Sequence, residues 1–228
     1  MAAFDLFGLG AILAFGFLLG IRHAFDADHI AAVATIATGG SGFRKQSLIG
    51  ASWGLGHTIA LMAVGMGIIF LGLSIPAGVA AFFEFLVGIV LIALGLPAVT
   101  AFLRSRSHSH LHSHGKARHA HMHSHEGTQA HTHHHKSILV GMLHGLAGSA
   151  ALMLLVLATI RPPFEAFIYI MVFGAGSVIG MFFVTTALGA AISAASSRAE
   201  NMVVRIRFLA GSVSILVGFI LIFELLLQ

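Results

Sequence analysis

The chain contains no cysteine, which excludes disulfides, thiolate metal sites and a cysteine nucleophile. Charge is scarce too, at 9% of residues against about 25% in an average soluble domain. No Gly-x4-Gly-Lys-Ser/Thr segment is present, so the chain carries no Walker-type nucleotide site and no ATPase of its own. No His-Glu-x-x-His segment occurs either, which argues against a membrane metalloenzyme. Before Arg22 the only charge is Asp5. Without a basic start or a clean small-residue cleavage site, the N-terminal segment is expected to be a retained span and not a signal peptide.

What the chain does have is apolar sequence. Hydrophobic residues make up 57% of the 228 positions, and the mean hydropathy is +0.97. A soluble globule of this size cannot hide so much apolar surface. The apolar runs are continuous and not alternating, which predicts helical spans and not a barrel. Six blocks stand out: 6–36, 48–74, 78–103, 138–160, 164–195 and 203–227. The fold expected is an all-α integral membrane protein with about six transmembrane helices, leaving no room for a separate soluble domain. The first and fifth blocks are longer than a ~30 Å hydrocarbon core requires at about 1.5 Å per residue. They must tilt, break or project. The net charge of +4 does not point to nucleic acid, because the basic residues sit at span ends, where membrane topology places them.

The connection 104–137 is of another kind. It holds His108, His110, His112, His114, His119, His121, His123, His125, His131, His133, His134 and His135, mixed with Ser, Lys and Arg. Such a segment cannot build an apolar core and reads as a low-complexity auxiliary metal-binding loop. The blocks on either side of it resemble each other. Gly20-Ile21-Arg22-His23-Ala24 matches Gly141-Met142-Leu143-His144-Gly145, and Trp53-Gly54-Leu55-Gly56-His57 matches Phe173-Gly174-Ala175-Gly176-Ser177. Phe85, Gly88 and Gly95 match Phe208, Gly211 and Gly218. Three matches in order at nearly one offset predict a duplication: residues 1–103 as a first three-helix repeat, 104–137 as the loop, and 138–228 as a second repeat. A unit of three spans repeated once inserts in opposite orientations, the inverted-repeat plan of many secondary transporters.

Charge sets the orientation. Loops 39–47, 104–137 and 196–207 fall on one side and carry Arg44, Lys45, Arg104, Arg106, Lys116, Arg118, Lys136, Arg198, Arg205 and Arg207. The opposite side has Arg161 alone. The bias predicts a cytoplasmic His-rich loop and both termini outside.

Chemistry concentrates in Arg22-His23-Ala24-Phe25-Asp26-Ala27-Asp28-His29, inside the first block. Ionisable groups within a span cost at least a few kcal/mol each and are functional by default. On a regular helix His23, Asp26, His29 and Arg22 share a face, while Asp28 points away. The excess length of the block predicts that the helix breaks here and folds Asp28 in. Two imidazoles and two carboxylates suit Ni²⁺, Co²⁺ or Zn²⁺, and the lack of thiolates argues against Cu(I). The alternative is a structural cluster with Arg22 paired to Asp26. His57, between small residues in Gly54-Leu55-Gly56-His57-Thr58, is the expected ligand from the next span. His144 is the counterpart of His23, but its flank carries Ala147, Ser149 and Ala150 where the first repeat has Asp26, Asp28 and His29. It is either a ligand or a structural hydrogen-bonding residue. His144, Ser177 and Arg22 are candidate pathway residues. A haem protein using His23, His57 or His144 is the rival reading, opposed by the adjacent acids.

The run Arg22 to Ile30, with a His, four residues, then Asp-His, resembles the first signature of the nickel/cobalt transporter family of single-component permeases. Gly56-His57-Thr58 resembles that family's second motif. The family's later acidic motifs are not evident, and Gly141 to Leu155 looks more like its short urease-associated branch. The His-rich loop resembles that of nickel/cobalt exporters. The resemblance implies a secondary transporter, not an enzyme, moving Ni²⁺ and also Co²⁺ across a bacterial or archaeal cytoplasmic membrane, with His23, Asp26, Asp28, His29 and His57 selecting the ion. Uptake is favoured, and efflux or a non-transporting metal-sensing scaffold are the alternatives. No prosthetic group is implied. The expected partners are the metal ion, the bilayer, and a cytoplasmic nickel chaperone or urease-maturation factor.

Overall fold

The computed structural model describes residues 2–38, 43–72, 76–105, 132–147, 160, 163–196 and 200–227. Among them there are seven helices and no strand: α1 (Ala2–His23), α2 (Ala27–Ala37), α3 (Phe43–Leu71), α4 (Ala77–Ser105), α5 (Thr132–Leu146), α6 (Pro163–Ser196) and α7 (Glu200–Leu226). Four are long and apolar enough to cross a membrane: Arg44–Leu71, Ala77–Arg104, Pro163–Ala195 and Met202–Leu226. The pair Gly8–His23 and Ala27–Ala37, bent by 52°, has the length and composition of a fifth span broken in the middle or of a re-entrant loop. In α5 the apolar part is short, Ser137–Leu146. The rest of the fourth block, most of the His-rich loop, Ser149, Ala150, Arg161 and Arg198 lie outside the described residues.

The break in the first block is where its excess length and charge placed it. At the end of α1 the ladder tightens, with Phe25 N–H donating to the Arg22 carbonyl at 2.9 Å and Asp26 N–H to the His23 carbonyl at 3.1 Å. Such i→i−3 bonds close a helix end. Asp26 is extended, with ψ of 148°, and is the N-cap of α2. The Asp26 side chain makes no cap hydrogen bond and turns to His23 instead, while Asp28 in the first turn suits the positive end of the helix dipole.

The buried interior lies where α3 and α6 cross each other, flanked by α1 against α6 and α5 against α3. α4 and α7 form an outer pair. They expose Phe82, Phe85, Ile89, Leu209, Leu216, Phe219 and Phe223, a surface fit for lipid chains and not for water. The far end of α2 is fastened by polar side chains: Thr35 Oγ1 donates to the Ala210 carbonyl, Gln46 Nε2 to that of Ala37, and Arg207 Nε to that of Thr38.

Close helix approach depends on glycine, and the contacts come in reciprocal pairs. A Cβ at Gly20 would strike the Phe173 carbonyl, and one at Gly141 the Trp53 carbonyl. Gly176 lies against the backbone of Phe17, and Gly56 against that of Ile138. In the outer pair, Gly88 meets Gly218 and Gly95 meets Gly211.

Candidate metal site

The break between α1 and α2 puts two histidines on different helix segments facing one point. His23 ends α1, His29 lies in the first turns of α2, and His57 comes from the middle of α3. All three are buried, and each offers one nitrogen such that these atoms lie within 4.8 Å of one another. The ring centroids are 4.6 Å apart for His23–His29, 4.8 Å for His23–His57 and 5.2 Å for His29–His57. His23 Nε2 and His57 Nε2 stand 3.0 Å apart, close enough to occupy neighbouring positions around one ion.

The carboxylates sit behind this set. His23 Nδ1 donates to Asp26 Oδ2 at 2.7 Å, and His29 Nδ1 to Asp28 Oδ1 at 3.1 Å. A carboxylate that accepts from Nδ1–H fixes the imidazole tautomer, so that Nε2 keeps its lone pair for a cation and gains basicity. His29 Nε2 is buried with no partner, as such an aimed lone pair would be. Neither Asp26 nor Asp28 belongs to the three-nitrogen set. Sequence reading placed both acids beside the imidazoles as equals. The structure separates them into an inner ring of nitrogens and an outer pair of acceptors.

Arg22 departs from the expectation as well. A regular helix would carry it on the face of His23, but the chain turns one residue later, and Arg22 is exposed while His23 is buried. Among the described residues Asp26 pairs with His23 and not with Arg22. Ser177 is fully buried on α6, one turn beyond Phe173, and its Oγ has no partner. His144 is fully buried, 5.2 Å from His29. His133, His134 and His135 fall at the start of α5, and the other nine loop histidines lie outside the described residues.

Sequence reading assigned no role to the aromatic walls. The Trp53 ring centre is 4.8 Å from that of His144 and 6.5 Å from that of His29, and Phe173 is 5.7 Å from His23. The signal was available, since Trp53 is the only tryptophan of the chain and occupies the position that Phe173 occupies in the second repeat. Apolar walls exclude water and strengthen every electrostatic interaction inside.

The comparisons agree with this chemistry. The sequence profile of the NicO family, described as high-affinity nickel-transport protein, matches residues 9–228. A urease accessory protein, UreH, from Bacillus sp. (strain TB-90) is 37% identical over 204 residues, covering 89% of this chain and 87% of that protein. No solved structure matches the chain.

Proposed function

The chain belongs to the high-affinity nickel-transport protein family, and from that premise we propose that it is a secondary permease that takes up Ni²⁺, and also Co²⁺, through an intramembrane site made of His23, His29 and His57. The observation that carries the reading is the buried set of three imidazole nitrogens, two of them backed by carboxylates. Neutral nitrogen donors without thiolates suit Ni²⁺ and Co²⁺ over hard Mg²⁺ or Ca²⁺ and over Cu(I). Asp26 and Asp28 supply two negative charges against the two positive charges of the ion. The bound complex is then close to neutral in a low-dielectric surrounding, where an uncompensated dication would be prohibitive.

Transport proceeds by partial dehydration at these imidazoles and alternating exposure as two inverted repeats, 1–103 and 138–228, rock against each other. Several observations support that arrangement. Two glycine contacts of one repeat have counterparts in the other: Gly20 on Phe173 mirrors Gly141 on Trp53, and Gly176 on Phe17 mirrors Gly56 on Ile138. The exchange relates α3 to α6, α4 to α7 and the second half of α1 to α5. The broken α1–α2 span at its centre is the kind of discontinuous helix that transporters use for ion sites. A membrane potential negative inside drives a dication inward with about 4.6 kcal/mol per 100 mV, twice the single-charge value. Uptake therefore needs no further energy source.

The excess of basic residues in the loop 104–137 favours a cytoplasmic location, and its histidines would there buffer arriving metal. Likeness to a urease accessory protein fits delivery to a nickel chaperone or urease-maturation factor. The test is radioactive-nickel flux in proteoliposomes under imposed potentials. The reading expects inward flux that grows with an inside-negative potential and disappears in His57→Ala. Absence of flux under either polarity would refute it.

A further inference from the structure

One buried histidine has no part in the three-imidazole site. His144, near the end of α5, is fully buried and does not join the set formed by His23, His29 and His57. Its Nδ1 donates to the Val140 carbonyl at 3.0 Å. A carbonyl can only accept, so this bond holds the proton on Nδ1 and leaves Nε2 a lone pair. That Nε2 is buried with no partner, as is Nε2 of His29. Two unsatisfied lone pairs on neighbouring buried rings are costly, because each has lost its water and gained nothing.

Their spacing suits a common ion. Two imidazoles bound to one ion through nitrogens about 2.1 Å away, at angles of roughly 90–110°, have ring centres roughly 4.6–5.3 Å apart. The His29–His144 separation is 5.2 Å, equal to that of His29 and His57. We infer that His29 is shared between two cation stations, the three-imidazole site and a second one formed by His29 and His144, for the same class of borderline divalent cation. The inference rests on the permease reading. Two dications about 5 Å apart repel strongly, so the stations fill in turn. His29 keeps the ion while His23 and His57 release it and His144 binds, two imidazole nitrogens giving way to one and solvent free to fill the open position, with no proton or electron transferred. His144 is carried by α5 and the other ligands by α1, α2 and α3. The handover thus moves the ion from the first repeat onto the second, which is the step that rocking needs.

The test uses the full-length chain with its twelve loop histidines replaced by Asn, so that only membrane sites take metal. Ni²⁺ alone serves for flux in proteoliposomes and Co²⁺ alone for binding. Trp53, 4.8 Å from His144, reports the ion by fluorescence quenching. His144→Ala is expected to keep Co²⁺ affinity within about threefold while Ni²⁺ flux falls about tenfold or more, on the scale seen when metal-site residues are altered. His144→Gln, which restores an amide donor to the Val140 carbonyl, is expected to stay equally slow. His57→Ala should retain weak Co²⁺ binding that quenches Trp53, and adding His144→Ala should abolish it. Wild-type flux in His144→Ala, or its restoration in His144→Gln, would make His144 a structural residue and overturn the second station, leaving the three-imidazole site standing. Failure of the unsubstituted membrane site to bind Ni²⁺ or Co²⁺ would overturn the permease reading and this inference with it.

Discussion

At the scale of single residues the candidate site is three imidazole nitrogens, two of them backed by carboxylates, and the two classes of residue should fail differently. Replacing His23, His29 or His57 by Ala removes a donor, and nickel flux is predicted to fall below about a tenth of the wild-type rate while the protein still reaches the membrane. Asp26→Asn and Asp28→Asn keep a hydrogen-bond acceptor but lose the charge, so Ni²⁺ affinity should drop about 10- to 100-fold without vanishing, as for other carboxylates behind metal-bound histidines. Equilibrium binding on loop-substituted protein separates the two outcomes. Protons compete for the same lone pairs. A free imidazole titrates near pH 6.5 and must be neutral to ligate, so metal binding releases protons and apparent Ni²⁺ affinity should decline as pH falls from about 7.5 to 5.5. Calorimetry in buffers of different ionisation enthalpy would detect the released protons, and a pH-independent affinity would exclude imidazole ligation. The candidate residues were legible in the sequence, because His23, Asp26, Asp28 and His29 are conspicuous inside an apolar block. The division of labour was not. A helical wheel assumes unbroken geometry, and it fails from Ala24 onward, where the chain turns and hands each carboxylate to the Nδ1 of a neighbouring histidine.

At the scale of elements, helix proximity rests on glycine, which lets carbonyls of one helix meet the backbone of the next. A leucine at Gly20 or Gly141 would collide with the backbone of Phe173 or Trp53. Overpacking of this kind costs about 1–3 kcal/mol and more where backbone cannot yield. Both substitutions should therefore lower the unfolding temperature in detergent and reduce flux to a similar degree, since the two sites are counterparts. Gly8 has nothing within 4 Å of its would-be Cβ, so Gly8→Leu should leave both properties unchanged. The length of the first block announced a break, and its placement at Asp26, the N-cap of α2, comes from the structure. The fastening of α2 by Gln46 and Arg207 could not be read from sequence, because it joins elements 9 and 169 residues apart and polar residues at span ends look alike.

At the scale of the whole molecule, a multi-pass helical bundle was legible from composition alone, as 57% hydrophobic residues and 9% charge leave few alternatives. The sequence matches that suggest a repeat include glycines, such as Gly20 and Gly141, that must stay small where one helix backbone meets another. What sequence could not supply was the pairing of α3 with α6 and of α4 with α7, which is a matter of long-range packing and not of local pattern. The His-rich loop stands apart from the bundle in chemistry. Deleting residues 108–135 is predicted to lower the metal bound per chain while preserving most of the flux, measured as total bound nickel against initial transport rate. Loss of transport in that deletion would mean that the loop feeds the membrane site directly.

Nickel K-edge X-ray absorption on the chain with its loop histidines replaced tests most directly whether His23, His29 and His57 hold nickel within the membrane. The predicted spectrum has about three imidazole nitrogens at roughly 2.0–2.1 Å, falling to two in His57→Ala. A shell made only of oxygen, or a spectrum that His57→Ala leaves unchanged, would contradict ligation by these histidines.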